Sequence, residues 1–449
     1  MSEALKPVEH YRELIAAAGP SLPGAGQPWL DARRQAAAAR FTEQGFPTRK
    51  AEEWRYSNIG QVLEQTFRYR DEAFEALTDS DIEDLLLVEQ PAARLVFANG
   101  RLVPHLSTTD GLDASVSLIS LREAIDSGSG FVDQWLGKAI IDNDLETFEA
   151  LNTALLNDGM CLHIPAGVAV EQPVEVLYLS VGLDEPSVMT PRNLIVLEQG
   201  ARARLVEQYA STTEAAYFNN GLTEIMLGEN ATLEHDRLQE ESAQAYHMSV
   251  IHLAQAGRSH YRGMVASLGG TWARTEYHTA FSAEDASCDL AGFYFADDGQ
   301  LTDIHLDVRH PVPRCNSEQK FKGILAGKGK AVLDGRIRVV RDAQQTEAHL
   351  SNDTLLLSRS AEIDTKPQLE IFADDVKCSH GTTVGQLDPM QLFYLRARGI
   401  NADTARKMLC LGFADAVLEG CTVPAFIERV DQKLQSRLAD VTIDTSASG

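Results

Sequence analysis

Two cysteine–histidine pairs combine residue types and a spacing that could do chemistry. Cys161 precedes His163, and Cys378 precedes His380, each by two positions. On a β-strand, residues two apart point to the same side, within reach of one shared ion. A thiolate beside an imidazole suits iron or zinc, but two ligands do not close a site, so another chain would have to supply the rest. A buried structural cysteine is the alternative for each pair, and the spacing alone does not choose.

A second candidate is a row of alternating ionisable residues: Asp303, His305, Asp307 and Arg309, with His310 beside them. Alternation places the first four on one strand face, where His305 and Asp307 could share a metal. A row of this kind is more often a hydrogen-bonded polar ladder. Other histidines are scattered, and we expect them to be solvated or hydrogen-bonded: His247, His252 and His260.

The segment from Gly323 to Lys330 resembles a phosphate-binding loop but departs from it in two ways. It is one residue short between the glycines, and no Ser or Thr follows the lysine. Without that hydroxyl there is no Mg²⁺ ligand, and the spacing misplaces the backbone N–H groups. The segment therefore predicts a corner between strands, with no nucleotide bound by this chain.

Composition narrows the classes of partner. The formal net charge is −25, which repels phosphate backbones and anionic membranes, so we expect neither nucleic acid nor membrane as a partner. No apolar run approaches the roughly 20 residues that cross a bilayer, and the first residues carry no secretory pattern, so we expect a cytoplasmic setting. None of the six cysteines forms a C-x-x-C pair, which removes the usual signal for structural zinc.

The first part of the chain predicts helices. Good helix formers with helical apolar spacing run from Tyr11 to Ala18 and from Trp29 to Phe41, on either side of a Gly/Pro-rich break. We assign residues 1–90 to an N-terminal helical region. Residues 91–160 are a mixed connector that leads into the next segment.

Residues 161–387 consist of short β-branched, apolar runs, each closed by a turn. Thirteen turn centres between Gly200 and Asp374 have a mean spacing of about 14.5 residues. A steady pitch over this many turns is typical of a solenoid, because each coil must present the same inward positions to its neighbours. A β-sandwich is the alternative, but it needs only about seven to nine strands. The pattern favours a mainly β protein with a parallel β-helix core.

Residues 388–449 return to helix. A helix from Pro389 to Arg398 would end at Gly399, and Asn401 offers an N-cap for a second helix. Pro424 can occupy the first turn of a third. The predicted architecture is therefore a β-helix flanked by N-terminal and C-terminal α-helical regions.

Several stretches resemble the SufB/SufD family of iron–sulfur cluster assembly proteins. The longest and most specific runs from Asp364 to Asp388 and contains Cys378 and His380. The match continues in the next helices, and three stretches further upstream also fit: Phe46–Asn58, which resembles the SufD branch rather than SufB, Phe148–Ala154 and Gln319–Leu325.

This resemblance implies a right-handed parallel β-helix and a non-enzymatic scaffold. It is also compatible with a flavin bound in the complex, although this sequence contains no flavin-binding motif. It implies a complex with the paralogue SufB and with SufC, an ATPase that would supply the energy. His380, and after it Cys378, become ligand candidates for a transient iron–sulfur cluster formed at the SufB contact. The C-terminal helices would dock SufC through these residues: Leu392, Tyr394, Leu395, Arg396, Arg398, Gly399, Ile400, Arg406, Met408 and Leu409.

Two other functions are compatible with a β-helix. One is a carbohydrate-active lyase or hydrolase using paired carboxylates, although enzymes of that kind are usually exported. The other is a homodimeric binding module that uses the unpaired edges of a solenoid.

Overall fold

The computed structural model describes residues 5–72, 74, 76–128, 130–141 and 145–440. Strands account for 38% of the chain and helices for 26%, which confirms the mainly β class. The helices are α1 Leu5–Ala18, α2 Pro28–Gln44, α3 Gly60–Glu64, α4 Asp79–Ile82, α5 Leu121–Asp126, α6 Phe131–Trp135, α7 Thr147–Ala154, α8 Pro389–Ala397, α9 Ala402–Leu418 and α10 Pro424–Asp440.

The strands form two large sheets, here called sheets A and B. Sheet A contains β1 Arg68–Tyr69, β4 Ser117–Ser120, β5 Met160–Ile164, β7 Ser187–Met189, β8 Arg192–Leu197, β10 Tyr217–Leu227, β12 Ala245–Gln255, β14 Trp272–Phe281, β16 Leu301–His310, β18 Lys330–Val339 and β20 Glu362–Ile371. Sheet B contains β2 Ala93–Ala98, β3 Arg101–Leu102, β6 Val174–Ser180, β9 Arg202–Ser211, β11 Thr232–Gln239, β13 His260–Ser267, β15 Ser287–Ala296, β17 Asn316–Leu325, β19 Glu347–Leu356 and β21 Lys377–Gly385.

Successive strands from β8 onward alternate between the two sheets, and neighbours within each sheet are parallel. The chain therefore winds as a β-solenoid of about 8 turns with helices at both ends, as predicted. Leu290 pairs with Gln319, Gln319 with Leu350 and Leu350 with His380, in steps of about 30 residues. One coil thus takes two of the 14.5-residue intervals found in the sequence, because each coil contributes one strand to each sheet.

Inward-facing side chains of the two sheets share one apolar core, which runs the length of the solenoid. Tyr261, Cys288 and Ala348 belong to a single column of this core, and all three are fully buried. Because side chains alternate along each strand, the intervening residues face outward, where they are covered by helices or exposed to solvent.

The N-terminal helical region covers the outer face of sheet A. Trp54 packs against Trp272 of β14 with 6.3 Å between ring centroids, and Trp272 Nε1 donates a hydrogen bond to Ser57 Oγ at 3.1 Å. On the opposite side, α9 and α10 bury apolar residues such as Cys410 and Phe426 against sheet B. The boundaries at residues 90, 160 and 387 stay predictions, and the segment from 441 lies outside the described residues.

Within the described ranges, no helix is both long and apolar enough to span a bilayer.

Candidate functional site

The last coil of the solenoid ends in two unpaired strand edges. β20 is the terminal strand of sheet A, and β21 is the terminal strand of sheet B. Each pairs with a neighbour on one side only, so its other row of backbone N–H and C=O groups has no ladder partner among the residues that the structure describes. Within the described part of the chain, no further coil follows to cover the inward faces of these two strands.

His380 is the final member of an inward-facing column. Leu350 precedes it by one coil and is 3% exposed, because β21 covers it. His380 has no strand beyond it and is exposed to solvent. The imidazole therefore occupies a position that is buried in the two preceding coils, at Gln319 and Leu350, but here lies at an open surface.

Cys378 lies on the same face of β21 as His380. Two residues along a strand place their Cα atoms roughly 7 Å apart. Cys378 is half-buried and packs against the edge of the apolar core. Burial raises the pKa of its thiol, so the thiol form dominates at neutral pH until a metal or a cation displaces the proton.

Exposed apolar residues also lie on this last coil. Val384 continues the inward face of β21 and is 48% exposed, and Phe372, just after β20, is 58% exposed. Exposed apolar side chains beside unpaired strand edges are typical of a surface that another chain covers.

The arrangement offers a thiol and an imidazole to one ion but does not complete a coordination sphere. Within the parts of the chain that the structure describes, no three His, Cys, Asp or Glu side chains converge as a metal group would. Ligands for a bound metal at this end would therefore have to come from outside these residues.

The alternating row at 303–309 is a buried ionic ladder. Asp303 accepts a hydrogen bond from Arg274 at 2.7 Å, and its other oxygen lies 2.9 Å from His305 Nε2. Asp307 accepts from the Nε atoms of Arg309 and Arg336 at 2.9 Å and 3.0 Å. Both carboxylates are paired with arginine side chains. This arrangement agrees with the predicted polar ladder and not with a metal shared by His305 and Asp307.

The other cysteine–histidine pair is divided between two environments. Cys161 is buried beneath α5 and α6, and burial raises its pKa to about 12. His163 Nε2 lies 2.9 Å from Glu198 Oε1. The scattered histidines also have partners: His247 with Glu241, His252 with Glu149 and His260 with Ser287.

The segment that resembles a phosphate loop is the corner between β17 and β18, as predicted. Its first glycine serves packing: a Cβ on Gly323 would lie 1.9 Å from the ring of Tyr294. The Tyr294 ring packs directly over Gly323, and the Tyr294 hydroxyl donates a hydrogen bond to Asn352 Oδ1 at 3.0 Å.

The predicted docking residues lie on α8, in the link between α8 and α9, and in the first half of α9. Helix α8 has no buried residue, an unusual state for so apolar a helix. Of the predicted set, Tyr394 and Met408 are exposed, whereas Leu392, Leu395 and Leu409 are half-buried. Sequence reasoning missed Met390 and Phe393, which are 71% and 68% exposed. The signal was present, because apolar residues occupy every side of α8.

Comparisons with known proteins cover nearly the whole chain. The N-terminal region of SufBD proteins matches residues 6–176, and the SufBD core domain of the SUF iron–sulfur cluster assembly system matches residues 180–413. A SufBD family iron–sulfur cluster assembly protein of Synechocystis is 31% identical over 413 residues, covering 90% of each chain.

Two relatives carry the name SufD. The Escherichia coli protein is 31% identical over 397 residues, covering 88% of this chain and 90% of its own. The Bacillus subtilis protein is 26% identical over 350 residues, covering 77% and 79%. Because the two family models together match most of the chain and the Synechocystis protein is similar over 90% of it, the chain belongs to the SufBD family of iron–sulfur cluster assembly proteins.

Proposed function

We propose that this chain is a non-catalytic scaffold subunit that pairs with SufB and SufC to build a transient iron–sulfur cluster. The observation that carries the proposal is the position of Cys378 and His380 on the inward face of the last coil, where His380 is exposed and Cys378 is half-buried. The chain itself binds no nucleotide in this proposal, and no step requires flavin. The setting that we propose is cytoplasmic.

SufB, as a paralogue with its own solenoid, is the proposed partner at the open end. A second solenoid could satisfy the unpaired edges of β20 and β21 and cover the apolar side chains there, including Val384 and Phe372. It would bring its own thiolates or carboxylates to the face that holds His380. This supplies the ligands that a lone cysteine–histidine pair lacks.

SufC is the proposed partner of α8 and the start of α9. The exposed apolar residues Met390, Phe393 and Tyr394 form a patch that solvent would otherwise face. Arg398 stacks over the ring of Tyr394 at 4.5 Å, which adds a cationic rim to the apolar patch. Energy from ATP hydrolysis in SufC would reach the solenoid through α9, which packs on β15 and β17.

Co-expression with SufB and SufC tests the assembly. We expect a three-subunit complex on size-exclusion chromatography with light scattering. Failure of the chain to co-purify with either protein at low and moderate salt would contradict the proposal. A stable homodimer that excludes SufB would favour a homodimeric binding module instead.

The cluster site is tested by a pair of histidine variants. His380→Ala should lower the cluster yield of the reconstituted complex at least tenfold under anaerobic conditions, read by Mössbauer spectroscopy. His349→Ala is the matched control: His349 sits on the neighbouring strand, faces outward and lies 2.7 Å from Ser379 Oγ. Equal yields from both variants would remove the ligand role of His380.

A further inference from the structure

A cavity of about 360 Å³ lies between α2 and the segment that follows α6. Its walls combine apolar and cationic residues, and no acidic residue is among the described residues that line it: Arg33, Ala36, Ala37, Arg40, Leu136, Gly137, Ile140, Leu145, Thr153 and Arg192. The volume is at the lower end of the range for small-molecule pockets. The cavity lies away from Cys378 and from α8, so the proposed function makes no use of it.

Arg33 is the unusual member of this lining. It is half-buried, and within the described ranges its guanidinium has no carboxylate partner. Long cationic side chains at half-buried positions normally pair with an acid or extend into water. In a chain with a net charge of −25, an unpaired guanidinium in a cavity marks a position for an anion.

Gly137 makes room for that guanidinium. Its φ of +82° is in the left-handed region, and a Cβ there would lie 2.9 Å from Arg33 Nη1. Any other residue would be strained and would push Arg33 aside. The glycine thus holds space beside the arginine at the cavity wall.

Arg192 extends the cationic lining inward. It is 1% exposed, donates to Asn152 and Thr153 at 3.2 Å and 3.1 Å, and pairs with Glu224, while its Nε has no hydrogen-bond partner. Glu224 balances the charge of Arg192. Among the described lining residues, Arg33 therefore supplies a positive charge that no described carboxylate balances.

Apolar side chains define the rest of the ligand. Leu136 and Ile140 are buried at 2% and 8% exposure, and Ala36 and Ala37 leave open volume along α2. A site with one charged end and apolar walls fits a ligand with an anionic group on a compact apolar body. We propose that this cavity binds a small organic anion, with a carboxylate or phosphate group on Arg33 and its apolar part against Leu136 and Ile140.

Isothermal titration calorimetry on the full chain tests the site with benzoate and phenyl phosphate, and with benzyl alcohol as the neutral probe. We expect at least one anion to bind with a Kd below about 1 mM, and benzyl alcohol not to bind in this range. The anion that binds with the lower Kd shows whether the site prefers carboxylates or phosphate esters. Absence of binding by both anions, or equal binding of benzyl alcohol, would overturn the proposal.

Variants locate the binding in the cavity. Arg33→Gln should weaken the anion at least tenfold, and Ala36→Phe, which fills the cavity without changing its charge, should do the same. Arg12→Gln is the control, because Arg12 lies on α1, outside the lining, and pairs with Glu9. Thermal unfolding checks that each variant is folded. Unchanged binding in either cavity variant would place the anion elsewhere and overturn the proposal.

Discussion

Cys378 lies directly opposite Ala348 in the parallel ladder between β21 and β19, yet Ala348 is fully buried and Cys378 is only half-buried. The two positions are equivalent within their coils. They differ because another coil follows Ala348 and none follows Cys378. The end of the solenoid therefore turns core positions into surface positions without any change in strand geometry.

This relationship predicts that His380→Ala changes the free energy of unfolding by less than about 0.5 kcal/mol, because the side chain is exposed. Leu350→Ala, one coil earlier in the same column, should cost about 3 kcal/mol, because it opens a cavity in the core. Urea unfolding measures both. Similar losses in the two variants would mean that the last coil is not open.

The exposed patch on α8 predicts a binding defect without a folding defect. Phe393→Glu should weaken the affinity for SufC at least tenfold, because it places a charge in the apolar centre of the proposed interface. The melting temperature should stay unchanged, since α8 buries no residue. Gln391→Glu adds the same charge to the same helix and should bind normally. Equal loss in both variants would point to a general charge effect.

Trp54 predicts how firmly the N-terminal region is attached to sheet A. Trp54→Ala should destabilise the protein by about 3 kcal/mol, because it removes the contacts with Trp272 and with the Arg274 guanidinium, 3.8 Å from the indole ring. Limited proteolysis should then cut within residues 1–90 faster than in the unaltered protein. Tyr56→Ala, at a 39% exposed neighbour, should leave the cleavage rate unchanged.

His278 predicts a loss of stability at alkaline pH. Burial alone would lower its pKa, but Asp307 and Glu276 raise it to about 10, with Glu276 Oε2 3.3 Å from its Nε2. The unfolded value is about 6.5. The protonated ring therefore stabilises the fold fully below pH 6.5, and this contribution is lost as pH rises toward 10.

The measurement compares the native protein with His278→Gln by urea unfolding at pH 6.5 and pH 9.5. The native protein should lose about 3.5 kcal/mol more than the variant over this range, because the variant has no proton to release. Parallel pH profiles would contradict a protonated His278 in the folded state.

Local sequence was sufficient to predict most helices of the N-terminal and C-terminal regions. α1 and α2 appear where the apolar spacing predicted them, and Asn401 caps α9 by accepting a hydrogen bond from the Thr404 N–H at 2.8 Å. These features depend on residues within a few positions of each other in the chain, so they can be predicted from the sequence. The sequence shows apolar residues on every side of α8, including Met390 and Phe393, but it does not show that none of them is buried, because burial depends on packing.

The sequence by itself determined that the chain winds as a solenoid and that Cys378 and His380 share a strand face, because strand alternation and a regular turn spacing are local properties. It also carried the family signature around that pair. Only the tertiary structure decided that each coil takes two turn intervals, that Cys378 and His380 lie on the last coil, and that Arg33 faces a cavity whose described lining holds no carboxylate. These facts depend on which distant residues become neighbours, and burial is set by those neighbours.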